Sequence, residues 1–458
     1  MATRCAHCAD YSRGRLLREA AARAGDGLPP VEAGMPLPAG TGLTRRSFVL
    51  RSVGLALSVY GGTLLEPRAF EDGIAGAAAA PAGPVLVSVF LDGGADSLSV
   101  LFPAGDPDYL RLRPTLALPA TGGRPFSEDT RLRWHPALEP LAQLHAEGKV
   151  TTLPAIGYTH VDQSHFTSRH YWEVGATSTQ LTTGWLGRLL DRTGVPDNPL
   201  QGLALDGQLQ PALASSKVPV AAIEGPTKYT FGTDHVSDQV EDRMYETLAE
   251  LGAPRVADPA LAAAGSVIAQ SAALREQLLP FRSFTSPVPY PEGGDDEFPE
   301  RLAGLAAMLA AGLPLQCVTI RAPGLYDTHA SQPDALDSGL RLTAATLAAF
   351  QQDLEVRGLA DRVLVHLWTE FGRRAEENGS NGTDHGAAGT GFLIGTRLRG
   401  RMIGEFPGLS TGLDEEGNLR STSDFRGLYC ALLEQWFGTD AAAVIPGAKD
   451  FERPQLLR

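Results

Sequence analysis

Residues 84–91, PVLVSVFL, are apolar or β-branched almost throughout and stop abruptly at Asp92-Gly93-Gly94-Ala95-Asp96-Ser97. A run this short, apolar at every phase of the alternation, fits a strand buried on both faces, and such strands belong to sheets with helices on either side. The same unit recurs. Helices are predicted over 138–146, 164–174, 298–311 and 335–357, and strands over 150–156, 316–321 and 362–368. This alternation implies an α/β fold, a mainly parallel sheet flanked by helices. From 177 to 299 the pattern loosens, with several prolines and the polar tract Gly293-Gly294-Asp295-Asp296-Glu297, which reads as an irregular insertion plus loop.

Upstream of that domain the chain carries an address. Thr44-Arg45-Arg46-Ser47-Phe48-Val49-Leu50 is a twin-arginine stretch, followed by a modestly apolar run over 53–65 and a small-residue tract over 75–82. The apolar run is shorter than the roughly 20 residues that span a bilayer, so it reads as a cleaved signal and not as an anchor. Residues 1–80 are therefore expected to be an N-terminal extension with a twin-arginine signal peptide, and 81–458 a single domain that folds before export and works in the periplasm or outside the cell. Cys5-Ala6-His7-Cys8 would leave with the signal. Cys317 and Cys430 then remain, both in apolar runs that read as core.

Charge narrows the partners. The chain carries −14 at pH 7, and its first 80 residues hold nine Arg against seven Asp and Glu, so the exported part is more acidic still. That balance disfavours nucleic acid and anionic membranes, and it suits retention of divalent cations.

Functional residues of parallel sheets collect where strands end at their carboxyl edge. Three predicted strands end in polar turns that carry carboxylates: Asp92 after the first, Asp327 with His329 in GLYDTHASQ, and Glu370 in WTEFGR. The loop NGSNGTDHG adds Asp384 and His385. Each alone reads as turn chemistry or a structural histidine. Together, carboxylates and imidazoles at one sheet edge are the donor set that a divalent metal requires.

The ordered motifs FLDGGADSLS, QSHFTSRHYWEVG, YDTHASQ, TEFGR with GTDHG, and GEFPGL resemble a bacterial family of twin-arginine-exported proteins, the domain-of-unknown-function 1501 family. That family is remotely similar to the alkaline phosphatase and sulfatase superfamily, which implies an alkaline phosphatase-like domain with one or two divalent metals held by Asp and His. By that resemblance Asp92 matches the metal-binding aspartate of the first strand. Asp327 and His329 match an Asp-x-x-x-His pair, although more closely spaced. Glu370 falls where the superfamily has the Asp of an Asp-His-Gly or Asp-Asn-Gly motif, with Asp384 and His385 as last ligands; another register equates Thr383-Asp384-His385-Gly386 with that motif. Ser164 matches the nucleophile or its neighbour at a helix start, with His160, His165 and His170 around it.

Two departures bear on this. Relatives often read DHGHGG where this chain reads Asp384-His385-Gly386-Ala387-Ala388-Gly389, and no histidine follows His385. The expected cofactor is accordingly a divalent metal (Zn, Mn, Ca or Mg), one ion or none. Ser164 and His165 are the expected catalytic pair, with Ser164 activated by metal and by the positive end of its helix. Ser164 equally fits a plain helix N-cap. The expected function is a metal-dependent hydrolase of phosphate or sulfate esters acting on a small anionic substrate. The alternative is a non-catalytic binding or assembly protein on a hydrolase-like scaffold, with an exported protein as partner.

Overall fold

A computed structural model of the chain describes residues 55–58, 83–195, 198–227, 237–252 and 274–458. Arg45, Arg46, Cys5 and Cys8 lie outside the described residues, as does most of the signal segment. The main sheet runs in the order Leu55–Ser58, Val220–Ile223, Gly202–Ala204, Cys317–Arg321, Val85–Phe90, Val363–Trp368, Gly389–Ile394, Val150–Gly157 and Ser423–Asp424. The five strands from Val220–Ile223 to Val363–Trp368 are mutually parallel. Gly389–Ile394 runs antiparallel to both neighbours, and Leu55–Ser58 lies antiparallel on Val220–Ile223.

Period-two burial on both faces explains the apolar runs. From Val85–Phe90, the side chains of Val85, Val87 and Val89 join one core cluster with Leu305, Leu340 and Leu347 of helices Phe298–Ala310 and Gln332–Val356. Leu86 and Phe90 join the other, with Trp172, Trp185 and Leu428 of helices His165–Val174, Trp185–Thr193 and Phe425–Ala431. The result is three layers, helices on either side of a mainly parallel sheet. Cys317 and Cys430 are free and buried. No helix among the described residues is long and apolar enough to cross a membrane.

The expected strands and helices appear with ends shifted by three residues at most. The stretch read as an irregular insertion also supplies two sheet strands, GLA and VAAI, which are too short and too small-sided to show a pattern. Gly389–Ile394, GTGFLI, is likewise a fully buried strand that looks like loop in sequence because its first half is Gly and Thr.

One position in this sheet conflicts with its surroundings. His366, in Val363–Trp368, is 1% exposed between the Trp368 and Tyr429 rings, and neither ring nitrogen has a hydrogen-bond partner among the described residues. Burial pushes its pKa down to about 3. The folded state thus keeps His366 neutral where the unfolded chain, with an ordinary value of about 6.5, takes up a proton. Stability should be intact above that value and decline as pH falls from it toward 3. His366→Leu removes two unsatisfied polar atoms and is expected to raise stability by about 1 kcal/mol at neutral pH, with a larger gain in acid. Urea midpoints of both proteins at pH 7 and pH 5 check this; an equal difference at the two values would contradict it.

Candidate metal centre

The parallel register places the ends of three central strands side by side, with Phe90 opposite both Arg321 and Trp368. The turns that follow carry Asp92, Asp327 and Glu370, so all three leave the same edge. Glycine makes the close approach feasible. Gly93 and Gly94 have φ of 127° and 71°, and a Cβ on Gly93 would lie 2.4 Å from the Asp327 backbone nitrogen. The Gly94 N–H donates to Glu370 Oε2 at 3.1 Å, locking the first turn onto the end of the neighbouring strand.

Asp327 is the hub. Its Oδ1 lies 3.5 Å from His165 Nε2, 3.5 Å from His385 Nε2, 3.2 Å from His329 Nε2 and 2.7 Å from Arg373 Nη2. His165, Asp327 and His385 form a group whose ligand atoms all lie within 4.8 Å of one another. Two ligands on a tetrahedral ion with bonds of about 2.1 Å stand roughly 3.4 Å apart, so the spacing fits a shared divalent cation.

The far side of each imidazole is pinned. His165 Nδ1 is 2.6 Å from Glu370 Oε1, and His385 Nδ1 is 2.7 Å from the Gln163 carbonyl. An Nδ1–H donated to each acceptor leaves the Nε2 lone pair aimed at Asp327, the tautomer a metal-binding histidine needs. His329 has the same form, with Nδ1 3.0 Å from Asp384 Oδ1.

Charge follows geometry. Burial alone would raise the Asp327 pKa, but the surrounding imidazoles of His165, His329 and His385 and the Arg373 charge hold it well below the usual carboxylate range. For His165, burial works downward and is outweighed by Asp327 and Glu370, so its pKa rises. His385 is pushed down to about 4, by burial first and by the His165 and Arg373 charges, and is neutral at physiological pH. Without a cation, Asp327 and Glu370 favour a proton on the His165 between them. With one, that proton has to leave.

The expected residues are thus mostly gathered, in different positions from those their motifs imply. Asp327 and His385 meet His165, which the sequence offered with Ser164 as a catalytic pair and not as a metal ligand. Glu370 and Asp384 support histidines from behind. Asp92 stands apart: the neighbouring strand end brings Arg321 to 3.4 Å from its Oδ2, so its carboxylate faces a guanidinium, and it is not in the His165–Asp327–His385 group. Ser164 is the N-cap residue of helix His165–Val174, but its side chain makes no capping bond, and its buried Oγ has no partner among the described residues. Arg373, from FGRR, was not anticipated; the burial that makes it important has no sequence signal.

Residues 157–446 match the family described as "Protein of unknown function (DUF1501)". Among curated proteins no match is found. Solved structures similar to the chain include Ps i-CgsB, at 9% identity and a TM-score of 0.37 over 82% of this chain and 78% of that one. A protein in the alkaline phosphatase superfamily from Vibrio parahaemolyticus gives 8% and 0.33 over 83% and 76%. The PsFucS1 sulfatase from Pseudoalteromonas sp. gives 11% and 0.34 over 90% and 81%. At these scores the likenesses carry no weight for the reaction, which has to be argued from the site.

Proposed function

Since the chain belongs to the DUF1501 family, whose description assigns no reaction, we propose from the site that it is an exported, metal-dependent hydrolase of phosphate or sulfate esters. The observation that carries this is the convergence of His165 Nε2, His385 Nε2 and Asp327 Oδ1, with both histidines pinned from behind. A divalent ion held there supplies Lewis acidity toward a phosphoryl or sulfuryl oxygen.

The chain's own residues do the rest. Glu370 and the Gln163 carbonyl orient the imidazoles, and Arg373 fixes the Asp327 carboxylate. Asp327 is 21% exposed and Asp384 53%, which leaves an open side from which an ester can approach. Ser164 adjoins His165 at the positive end of helix His165–Val174, and its hydroxyl has no structural bond to lose. Attack by that hydroxyl would transfer the phosphoryl or sulfuryl group to Oγ and release the alcohol with the serine proton, and water would then free the anion. Divalent-ion-dependent hydrolysis of aryl phosphate and sulfate esters is the expected assay result, with Ser164→Ala lowering kcat by at least about 100-fold. Metal-dependent activity untouched by Ser164→Ala would move the attack to water.

The non-catalytic alternative has one observation in its favour: Arg373 already pairs with Asp327 at 2.7 Å without any metal. Bound metal with no hydrolysis of either ester class would favour it. Export by the twin-arginine pathway belongs to the same proposal and rests on residues 44–50. Lys cannot reproduce guanidinium geometry, so replacing Arg45 and Arg46 by Lys should leave precursor in the cytoplasm, and unchanged export would remove that assignment.

A further inference from the structure

We propose that Arg373 takes the place of a second cation, so that the centre accepts a single divalent ion and His329 is kept off it. This rests on the metal reading above and goes beyond it.

Arg373 is fully buried, and its position is set by backbone. Nε donates to the Gly94 carbonyl at 2.7 Å, Nη1 to Thr383 O at 3.0 Å, and Nη2 to Tyr326 O at 3.2 Å and to Gly93 O. These carbonyls come from three separate segments, the turn after Val85–Phe90, the loop after Cys317–Arg321 and the short strand Thr383–His385, so the guanidinium cannot swing away without stranding several of them. The same guanidinium nitrogens also face the centre. Nη2 reaches Asp327 Oδ1 at 2.7 Å, and Nη1 lies 3.3 Å from His329 Nε2.

The second contact decides what His329 can do. A guanidinium has no lone pair and does not lose its proton in proteins, so His329 Nε2 meets it as an acceptor. Nδ1–H then donates to Asp384 Oδ1 at 3.0 Å. In that tautomer the one Nε2 lone pair of His329 is taken up by Arg373, although Nε2 also lies 3.2 Å from Asp327 Oδ1. An ion bound to Nε2 would also stand close to a fixed positive charge in a poorly solvated place, where like charges repel strongly.

Charge balance points the same way. The carboxylates in the hydrogen-bonded set are Asp327, Glu370 and Asp384. Arg373 plus one divalent ion neutralises three carboxylates when the histidines are neutral. A second divalent ion would leave two uncompensated positive charges. Arg374 acts on Asp384 only through space and adds to that excess.

The test is stoichiometry, read by equilibrium dialysis and elemental analysis of the folded full chain after stripping with chelator and exposure to Zn²⁺ or Mn²⁺. Wild type is expected to hold one ion. His385→Gln should weaken binding by more than the about 10- to 100-fold that losing a supporting partner brings. His329→Gln should keep one ion, with Kd changed by less than about tenfold. Arg373→Met, which keeps bulk and removes charge, should admit a second ion. If that variant does not fold, the contrast between His329→Gln and His385→Gln decides. A second ion on wild type, equal losses in the two histidine variants, or a folded Arg373→Met chain that still holds only one ion would each overturn the inference and leave the metal reading standing. No ion on wild type removes both.

Discussion

Asp96→Ala is expected to destabilise the protein by about 3–5 kcal/mol, because it leaves a buried arginine without its counter-charge. Asp96 and Arg113 are both fully enclosed, and the guanidinium meets the carboxylate through Nη1–Oδ2 at 2.5 Å and Nη2–Oδ1 at 2.8 Å. Burial alone would raise the Asp96 pKa, yet Arg113, Ser99 and Gln332 together lower it, so the carboxylate is ionised in the fold. The pair also reaches the metal centre. Gln332 Nε2 donates to Asp96 Oδ2 at 2.7 Å, while its Oε1 accepts from Thr383 Oγ1 at 2.6 Å and Thr328 Oγ1 at 2.9 Å. Thr383 and Thr328 flank Asp384 and Asp327, so the network beneath Asp96 fixes the turns that carry the site. Urea unfolding gives the measurement, and a loss below about 1 kcal/mol would show that the ion pair is dispensable. Pairing Asp96→Ala with Arg113→Met should recover much of the loss, since removing both charges avoids the stranded one.

The α/β layering was legible because its central strands, VLVSVF and VLVHLW, are buried at every residue, and that alone excludes an exposed sheet. Long helices such as Gln332–Val356 announce themselves by period. Where the chain instead uses Gly, Ala and Thr to pack backbone closely, as in GTGFLI and VAAI, the pattern vanishes and the strands read as loop. At the site, the strand-end rule located Asp92, Asp327 and Glu370 at one edge. It could not say which carboxylate faces an ion. That depends on partners far away in sequence: Arg321 beside Asp92, His165 beside Glu370 across 205 positions, and Arg373 beside Asp327. His165 was expected to act with Ser164 as a catalytic pair, whereas its Nε2 faces the hub. A buried arginine such as Arg373 is the least readable of all, since composition places arginines on surfaces.

Removing metal from the purified protein puts the central claim to its most direct test. Asp327, Glu370 and Asp384 crowd one edge, with Arg373 hydrogen-bonded to Asp327. A divalent ion at His165, Asp327 and His385 should therefore stabilise the folded chain, by RT ln(1 + [L]/Kd), or ~2.7 kcal/mol at a hundredfold excess over Kd. Chelator is expected to lower the melting temperature of the wild-type chain, and Zn²⁺, Mn²⁺, Ca²⁺ or Mg²⁺ to restore it. His385→Gln, neutral and unable to supply an imidazole nitrogen, should melt at the same temperature with and without chelator. A wild-type melting temperature that neither chelator nor any of these ions moves would contradict the metal centre, and with it the hydrolase.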